Sequence, residues 1–243
     1  LNSVQEPWVR NQIVQALGSF KEDQAVIAKL ESVAKEDSSY RARAAALQSL
    51  GRMKSPNAYA TLTAMVNSDS PDGFLRNASL RGLGSLGDDR AVPLLEDWAK
   101  PGKDLDSRQA AINSLARLQK DNKEITNQIA GYLAEQHSQI RFSSVFALGA
   151  RGDASAIPSL EALLKRDDLS IEMAPMIKQQ IEALKKPAPK GTPPMAMGED
   201  GGDGGEMGAN QGTEDSKYAH LEQLIQEMNE RLKAIEGKLQ VKQ

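Results

Sequence analysis

One spacing governs this chain. An Arg followed seven residues later by Leu, and usually by Gly next to it, recurs as Arg10 with Leu17-Gly18, Arg43 with Leu50-Gly51, Arg76 with Leu83-Gly84, Arg108 with Leu115-Ala116 and Arg141 with Leu148-Gly149. Successive arginines stand 33, 33, 32 and 33 residues apart. A unit of that length cannot bury its apolar face by itself, so the period demands an array of stacked units sharing one core.

Each unit reads as two helices. Counting from its Arg, small or aliphatic residues follow at three and four positions, a small residue at six and Leu at seven; in the third unit these are Ser79, Leu80, Gly82 and Leu83. Three, four and seven is the spacing of one helical face, so Ser79, Leu80 and Leu83 are expected on a buried stripe. Small residues at Ala16, Ser49, Gly82, Ser114 and Ala147 are expected to let neighbouring helices approach closely. The Gly that follows the Leu is expected near the helix end, where a left-handed cap suits it. A polar break such as Gly87-Asp88-Asp89 or Gly152-Asp153-Ala154 comes next, and then a second helix opened by Ala91-Val92-Pro93 or Ala156-Ile157-Pro158. Proline is tolerated in that first turn. The fourth unit departs from this pattern with Lys123-Glu124. Aromatics are 4% of the chain against 40% hydrophobic residues overall, which suits thin layers of Ala, Leu, Ile and Val between helices.

This pattern resembles HEAT-type repeats, in particular the short bacterial variety also found in phycobilisome lyases. The period equals that of ankyrin, but neither the T-P-L-H-x-A signature nor the tetratricopeptide pattern is present. The resemblance implies an all-α fold, a right-handed α-α superhelix. Its expected extent is residues 1–186, five helix pairs closed by a capping helix on which Ala174, Ile177, Ile181 and Leu184 continue the apolar stripe.

Beyond Lys186 the composition changes. Residues 191–216 hold eight Gly and six acidic residues with no Lys or Arg, so the stretch 187–216 is expected to be a disordered linker. Its acids Glu199, Asp200, Asp203 and Glu206 lack the spacing of a calcium loop. In residues 217–243, Tyr218, Leu221, Ile225, Met228, Leu232, Ile235 and Leu239 alternate by three and four, the seam of a coiled coil. Self-association through this segment is the leading expectation, with packing on another protein or on the solenoid as the alternatives.

Little in the chain points to chemistry. Gly82-Leu83-Gly84-Ser85-Leu86-Gly87 matches the dinucleotide fingerprint literally, yet it closes a helix instead of opening one after a strand. Stacking would align Arg10, Arg43, Arg76, Arg108 and Arg141 as a ladder, expected to make ion pairs and hydrogen bonds to loops rich in Asp37, Asp69, Asp72, Asp106 and their neighbours, with binding of phosphates or acidic peptides as the alternative. The two histidines, His137 and His220, have no partner at metal-ligand spacing. No catalytic, cofactor-binding or metal residue is therefore expected. With no cysteine, disulfides and thiolate zinc sites are absent. A net charge of −3 and a pI near 5.6 disfavour a nucleic-acid partner and favour a protein or peptide. No apolar run is long enough to span a membrane, so the chain is expected to be soluble. It begins at Leu1, and the expectation is a piece of something longer whose targeting signal lies upstream.

A more specific likeness lies in LRNASLRGLGSLGDDRAVPLLEDWAKPGKDLDSRQAAINSLARL, NKEITNQIAGYL, IRFSSVFALGARGDASAIPSLEALLKRDDLS and MAPMIKQQIEALKK. Over about residues 40 to 186 the chain resembles the C-terminal HEAT region of bacterial M1-family zinc aminopeptidases, most specifically in the loop Trp98-Ala99-Lys100-Pro101-Gly102-Lys103 leading to Asp106-Ser107-Arg108. The resemblance implies a parent with an N-terminal β-domain and a zinc domain bearing H-E-x-x-H and a downstream Glu, where zinc-polarised water attacks the peptide bond. None of those residues is in this chain, so zinc would belong to the parent. The competing readings are a freestanding HEAT adaptor for protein partners and a HEAT-fold enzyme or nucleic-acid binder. Acidity and scarce aromatics disfavour the last.

Overall fold

Helical periodicity with small residues at fixed intervals should give helices that pack at unusually short range. The computed structural model describes residues 6–20 and 23–186, all within one compact unit, Leu1–Met195. The expected linker and the heptad seam from Tyr218 to Leu239 lie outside the described residues. Eleven α-helices follow one another: α1 Pro7–Leu17, α2 Gln24–Glu36, α3 Tyr40–Met53, α4 Ala58–Val66, α5 Phe74–Leu86, α6 Val92–Ala99, α7 Leu105–Leu115, α8 Lys123–Gly131, α9 Ser138–Arg151, α10 Ile157–Leu163 and α11 Met173–Lys185. Single 3-10 turns at Pro71–Gly73, Asp89–Ala91, Tyr132–Ala134 and Ala154–Ala156 flank some of them. There is no strand among the described residues.

Odd-numbered helices up to α9 carry the arginine beat and form one layer, each packed on the next; α11 closes the layer against α9. Even-numbered helices form the second layer. Each of α2, α4 and α6 packs more extensively on the first helix of the following unit than on the first helix of its own. The stacking is thus staggered, and one core runs from Val14 through Leu47, Leu80, Ile112 and Leu148 to Leu184. Ser79, Leu80 and Leu83 are fully buried, as the three-four-seven spacing requires. Ala16 departs from expectation: it is exposed, because no described helix covers that side of α1.

The repeated glycines do something other than cap. Gly51, Gly84 and Gly149 sit inside α3, α5 and α9, and Gly18, just past α1, has φ −60°. Left-handed caps come three residues later, at Lys54 (φ 53°), Gly87 (φ 74°) and Gly152 (φ 75°). What the beat's Gly supplies is room. A Cβ on Gly18 would lie 2.9 Å from Ser49 Cβ, on Gly51 2.9 Å from Gly82 Cα, and on Gly84 2.7 Å from Ser114 Cβ. Each pairs the eighth position of one unit with the sixth of the next.

Gly51→Ala should therefore lower stability by about 1–3 kcal/mol through overpacking, even though Ala is the better helix former. Gly131, at the end of α8, has open space around its Cα, and Gly131→Ala should raise stability by about 0.5–1 kcal/mol. Urea unfolding followed by far-UV circular dichroism tests both, and equal shifts would remove close approach as the role of Gly51.

Candidate interaction surface

The arginines of the beat lie early in the first helices, where side chains reach back to the preceding second helix and across to the next unit. Three donate from Nε to a backbone carbonyl at the end of that helix: Arg43 to Ala34 at 3.0 Å, Arg76 to Val66 at 3.3 Å and Arg108 to Ala99 at 3.0 Å. Arg141 instead uses Nη1, donating to the Glu135 and Gln136 carbonyls at 2.7 and 2.9 Å. A helix C-terminus leaves such carbonyls unpaired and partly negative, so a guanidinium there satisfies both needs.

The other end of the fork reaches an acid at the start of the following unit. Arg10 meets Asp37 at 3.2 Å, Arg76 meets Asp104 at 3.0 Å, Arg108 meets Glu135 at 2.6 Å, and Arg141 approaches Asp168 at 3.9 Å. Arg43 has no acid at the matching place and lies 3.7 Å from Met65 Sδ. Each acid follows its arginine by 27 or 28 residues, a spacing visible in the sequence once the geometry is known.

Trp98 explains the unusual loop after α6. The Arg76 guanidinium lies 4.6 Å from the ring centroid and Lys103 Nζ 4.5 Å from it, while Lys103 also pairs with Asp97 at 3.1 Å. Two cations thus hold one indole, and Asp104 anchors both the loop and α7 by accepting from the Ser107 N–H at 2.8 Å. Partial burial pushes the Asp104 carboxyl up, but hydrogen bonds from Ser107 and the Arg76 charge outweigh it and hold the group below its usual 3.8.

Arg151 was not legible as a special residue. It stands ten places after Arg141, where the other units have Phe20, Met53, Leu86 and Leu118. Its guanidinium is buried and donates to the Leu118 carbonyl at 2.8 Å, the Asn122 carbonyl at 2.6 Å, Thr126 Oγ1 at 2.7 Å and the Gln119 carbonyl. Burial pushes its pKa down, and Asp153, which accepts from Thr126 at 2.7 Å, offsets part of that cost. This cluster replaces an apolar contact in the irregular fourth unit, whose Gln119 has φ 40°. The deviation at Lys123-Glu124 was the available signal.

The remaining sequence features fall where no chemistry follows. Gly82 and Gly84 are interior to α5 and Gly87 terminates it, so the fingerprint faces helix carbonyls instead of free N–H groups. His137 sits just before α9. No group of three or more His, Cys, Asp or Glu among the described residues could hold a metal ion. No helix among them is long and apolar enough to cross a membrane.

At the start of the first helices lies a groove of about 480 Å³, lined by Pro7 and Arg10 of α1, Ser38, Ser39, Tyr40 and Arg41 at the head of α3, and Pro71, Asp72 and Phe74 at the head of α5. Tyr40 is 41% and Phe74 37% exposed, and Trp8 beside Pro7 is 66% exposed. Of these aromatics, Tyr40 and Phe74 line the groove.

Staggered helix pairs, a shared core and arginines spent between units define an α-solenoid built from repeats. The HEAT repeats family model matches residues 27–116 and 100–174, more than half of the chain, and the chain belongs to the HEAT-repeat family. Among solved structures, it is similar to the complex of CpcE and CpcF of phycocyanin lyase from Nostoc sp. PCC7120 at 15% identity and a TM-score of 0.42, covering 75% of this chain and 91% of that one. It is also similar to human deoxyhypusine hydroxylase in complex with glycerol at 16% identity and a TM-score of 0.38, covering 74% and 81%. A search of curated proteins gives no match.

Two outcomes test the ladder. Arg108→Ala leaves the Ala99 carbonyl and Glu135 without their buried donor, so stability measured by urea unfolding should fall by about 3–5 kcal/mol; a loss under about 1 kcal/mol would reduce the contact to a surface ion pair. Asp104 has a depressed folded pKa, so its contribution is present above the unfolded value and lost as pH falls through the folded one. Asp104→Asn should accordingly reduce stability at neutral pH and leave a shallower decline on acidification below about pH 4. Parallel wild-type and variant curves would refute this.

Proposed function

We propose that this chain is a non-catalytic interaction scaffold, the C-terminal accessory region of a zinc-dependent M1-type aminopeptidase. Peptide hydrolysis then belongs to the parent, and so does the zinc. The observation that carries the scaffold reading is the fate of the repeated polar residues: the arginines are committed to inter-unit contacts, so the units hold one another rigidly and leave their outer surfaces for a protein or peptide partner. Solenoids use extended surfaces in this way. The parent assignment rests on the resemblance across about residues 40 to 186, within which the Trp98 clasp is the most distinctive part.

The heptad seam at Tyr218, Leu221, Ile225, Met228, Leu232, Ile235 and Leu239 adds self-association to this proposal. A short coiled coil of this kind gains its stability from association, because an isolated helix of such length is marginal.

Reading the coding sequence upstream of Leu1 tests the parentage. H-E-x-x-H with a downstream Glu is the expected result, and a start codon immediately before Leu1 would overturn it in favour of a freestanding adaptor. Light scattering of the chain with and without residues 217–243 tests the tail: a halved mass on truncation is expected, and an unchanged mass would remove the claim.

A further inference from the structure

The row of close crossings between first helices has one gap. Gly18, Gly51, Gly84 and Gly149 occupy the eighth position of their units, but the fourth unit has Ala116 there, and the sixth position of the fifth unit, set against it by the register, is Ala147. Both are buried. Two Cβ atoms thus stand where the earlier crossings have one or none, and among the five units α7 packs on α9 less extensively than any other first helix packs on the next. The fourth unit is also cut short. Its α7 has 11 residues against 14, 13 and 14 in α3, α5 and α9, and the turn that follows passes through Gln119 at φ 40°, a conformation that residues other than Gly rarely adopt.

Arg151 spans that gap. It ends α9, and all its acceptors lie in the fourth unit: Nε donates to Thr126 Oγ1 at 2.7 Å, Nη1 to the Leu115 and Leu118 carbonyls at 3.3 and 2.8 Å, and Nη2 to the Asn122 carbonyl at 2.6 Å and to that of Gln119. These acceptors match the N–H groups of a guanidinium one for one. None is a carboxylate, since Asp153 reaches Thr126 and not the arginine. At the same register the second and fourth units bury Met53 and Leu118. An apolar side chain of that kind serves cohesion as well as a buried cation does, but its contacts have no preferred direction. Hydrogen bonds do, and a full set from one rigid fork fixes the fifth unit against the turn of the fourth.

We propose that the seam between α7 and α9 is an articulation of the solenoid and that Arg151 is its latch. The first four units form one block and α9 to α11 a second, and the guanidinium holds the two at a single angle. In a repeat array each unit contacts only its neighbours, so a crossing that lacks close backbone approach is where the array bends and opens first. Each block carries its own part of the outer surface, so the latch sets how the two parts are presented to a partner. The inference goes beyond the scaffold reading and does not depend on the aminopeptidase parentage.

The test uses the full chain, whose lack of cysteine makes any introduced pair unique. Nitroxides on Ala60→Cys of α4 and Ala162→Cys of α10, both exposed, span the seam, whereas Ala60→Cys with Asn127→Cys on α8 lies within the first block. Double electron–electron resonance is expected to give one narrow distance distribution for each pair. Arg151→Met should widen the spanning distribution at least about twofold and leave the internal one unchanged. Hydrogen exchange read by mass spectrometry is the second measurement: residues 116–122 and α9 should exchange at least about tenfold faster in the variant, with α3 at its original rate. Thr126→Val, which removes one acceptor, should act in the same direction by a smaller factor and decides the matter if Arg151→Met does not fold. Arg151→Lys should behave like Arg151→Met, because an ammonium lacks the fork. An unchanged spanning distance in the folded variants would overturn the proposal. So would equal widening of both pairs, or exchange accelerated uniformly through α3, since the array then opens as one body.

Discussion

The structure depends on how closely successive first helices approach one another. Gly51 against Gly82, Gly18 against Ser49 and Gly84 against Ser114 bring backbones to a distance that a single Cβ would prevent. Dispersion forces weaken steeply with separation, so this proximity turns many small side chains into an efficient core without large aromatics. It also fixes the period. Once one first helix is set against the next, the second helix has room only over the groove between them, and the staggered packing of α2 on α3 and α4 on α5 follows.

Arginine supplies the complementary polar solution. Short helices end often, and each end leaves carbonyls that cannot be buried without a donor. One guanidinium reaching from a first helix satisfies the end of the preceding second helix, and its remaining N–H groups hold the acid of the next unit. Arg108 shows the arrangement at its most buried, joining Ala99 and Glu135 at once. Arg43 shows its tolerance, because the carbonyl contact persists where the acid is missing. The carbonyl contact is therefore common to Arg43, Arg76, Arg108 and Arg141, and the ion pair adds to it in the last three.

Legibility varied with the range of the interaction. The stripe of Ser79, Leu80 and Leu83 was plain, because helical periodicity is a local property of the chain. Gly51, Gly84 and Gly149 lie inside their helices where the sequence predicts caps, since a glycine near a helix end and a glycine at a helix crossing look alike until the crossing is known. Arg151 is hidden for a similar reason: most of its acceptors are backbone carbonyls 29 to 36 residues away, and carbonyls leave no mark in a sequence. The carbonyl partners of the ladder arginines leave no mark in the sequence for the same reason.

By itself the sequence determined the class of the fold, because a 33-residue beat of small and apolar residues has few ways to bury itself other than by stacking helix pairs. Tertiary structure decided which second helix packs on which first helix, which glycines are contacts and which are caps, and that Arg151 gathers the carbonyls of the irregular fourth unit. Those outcomes depend on distances between residues about one repeat apart, which a chain acquires only when its units have stacked.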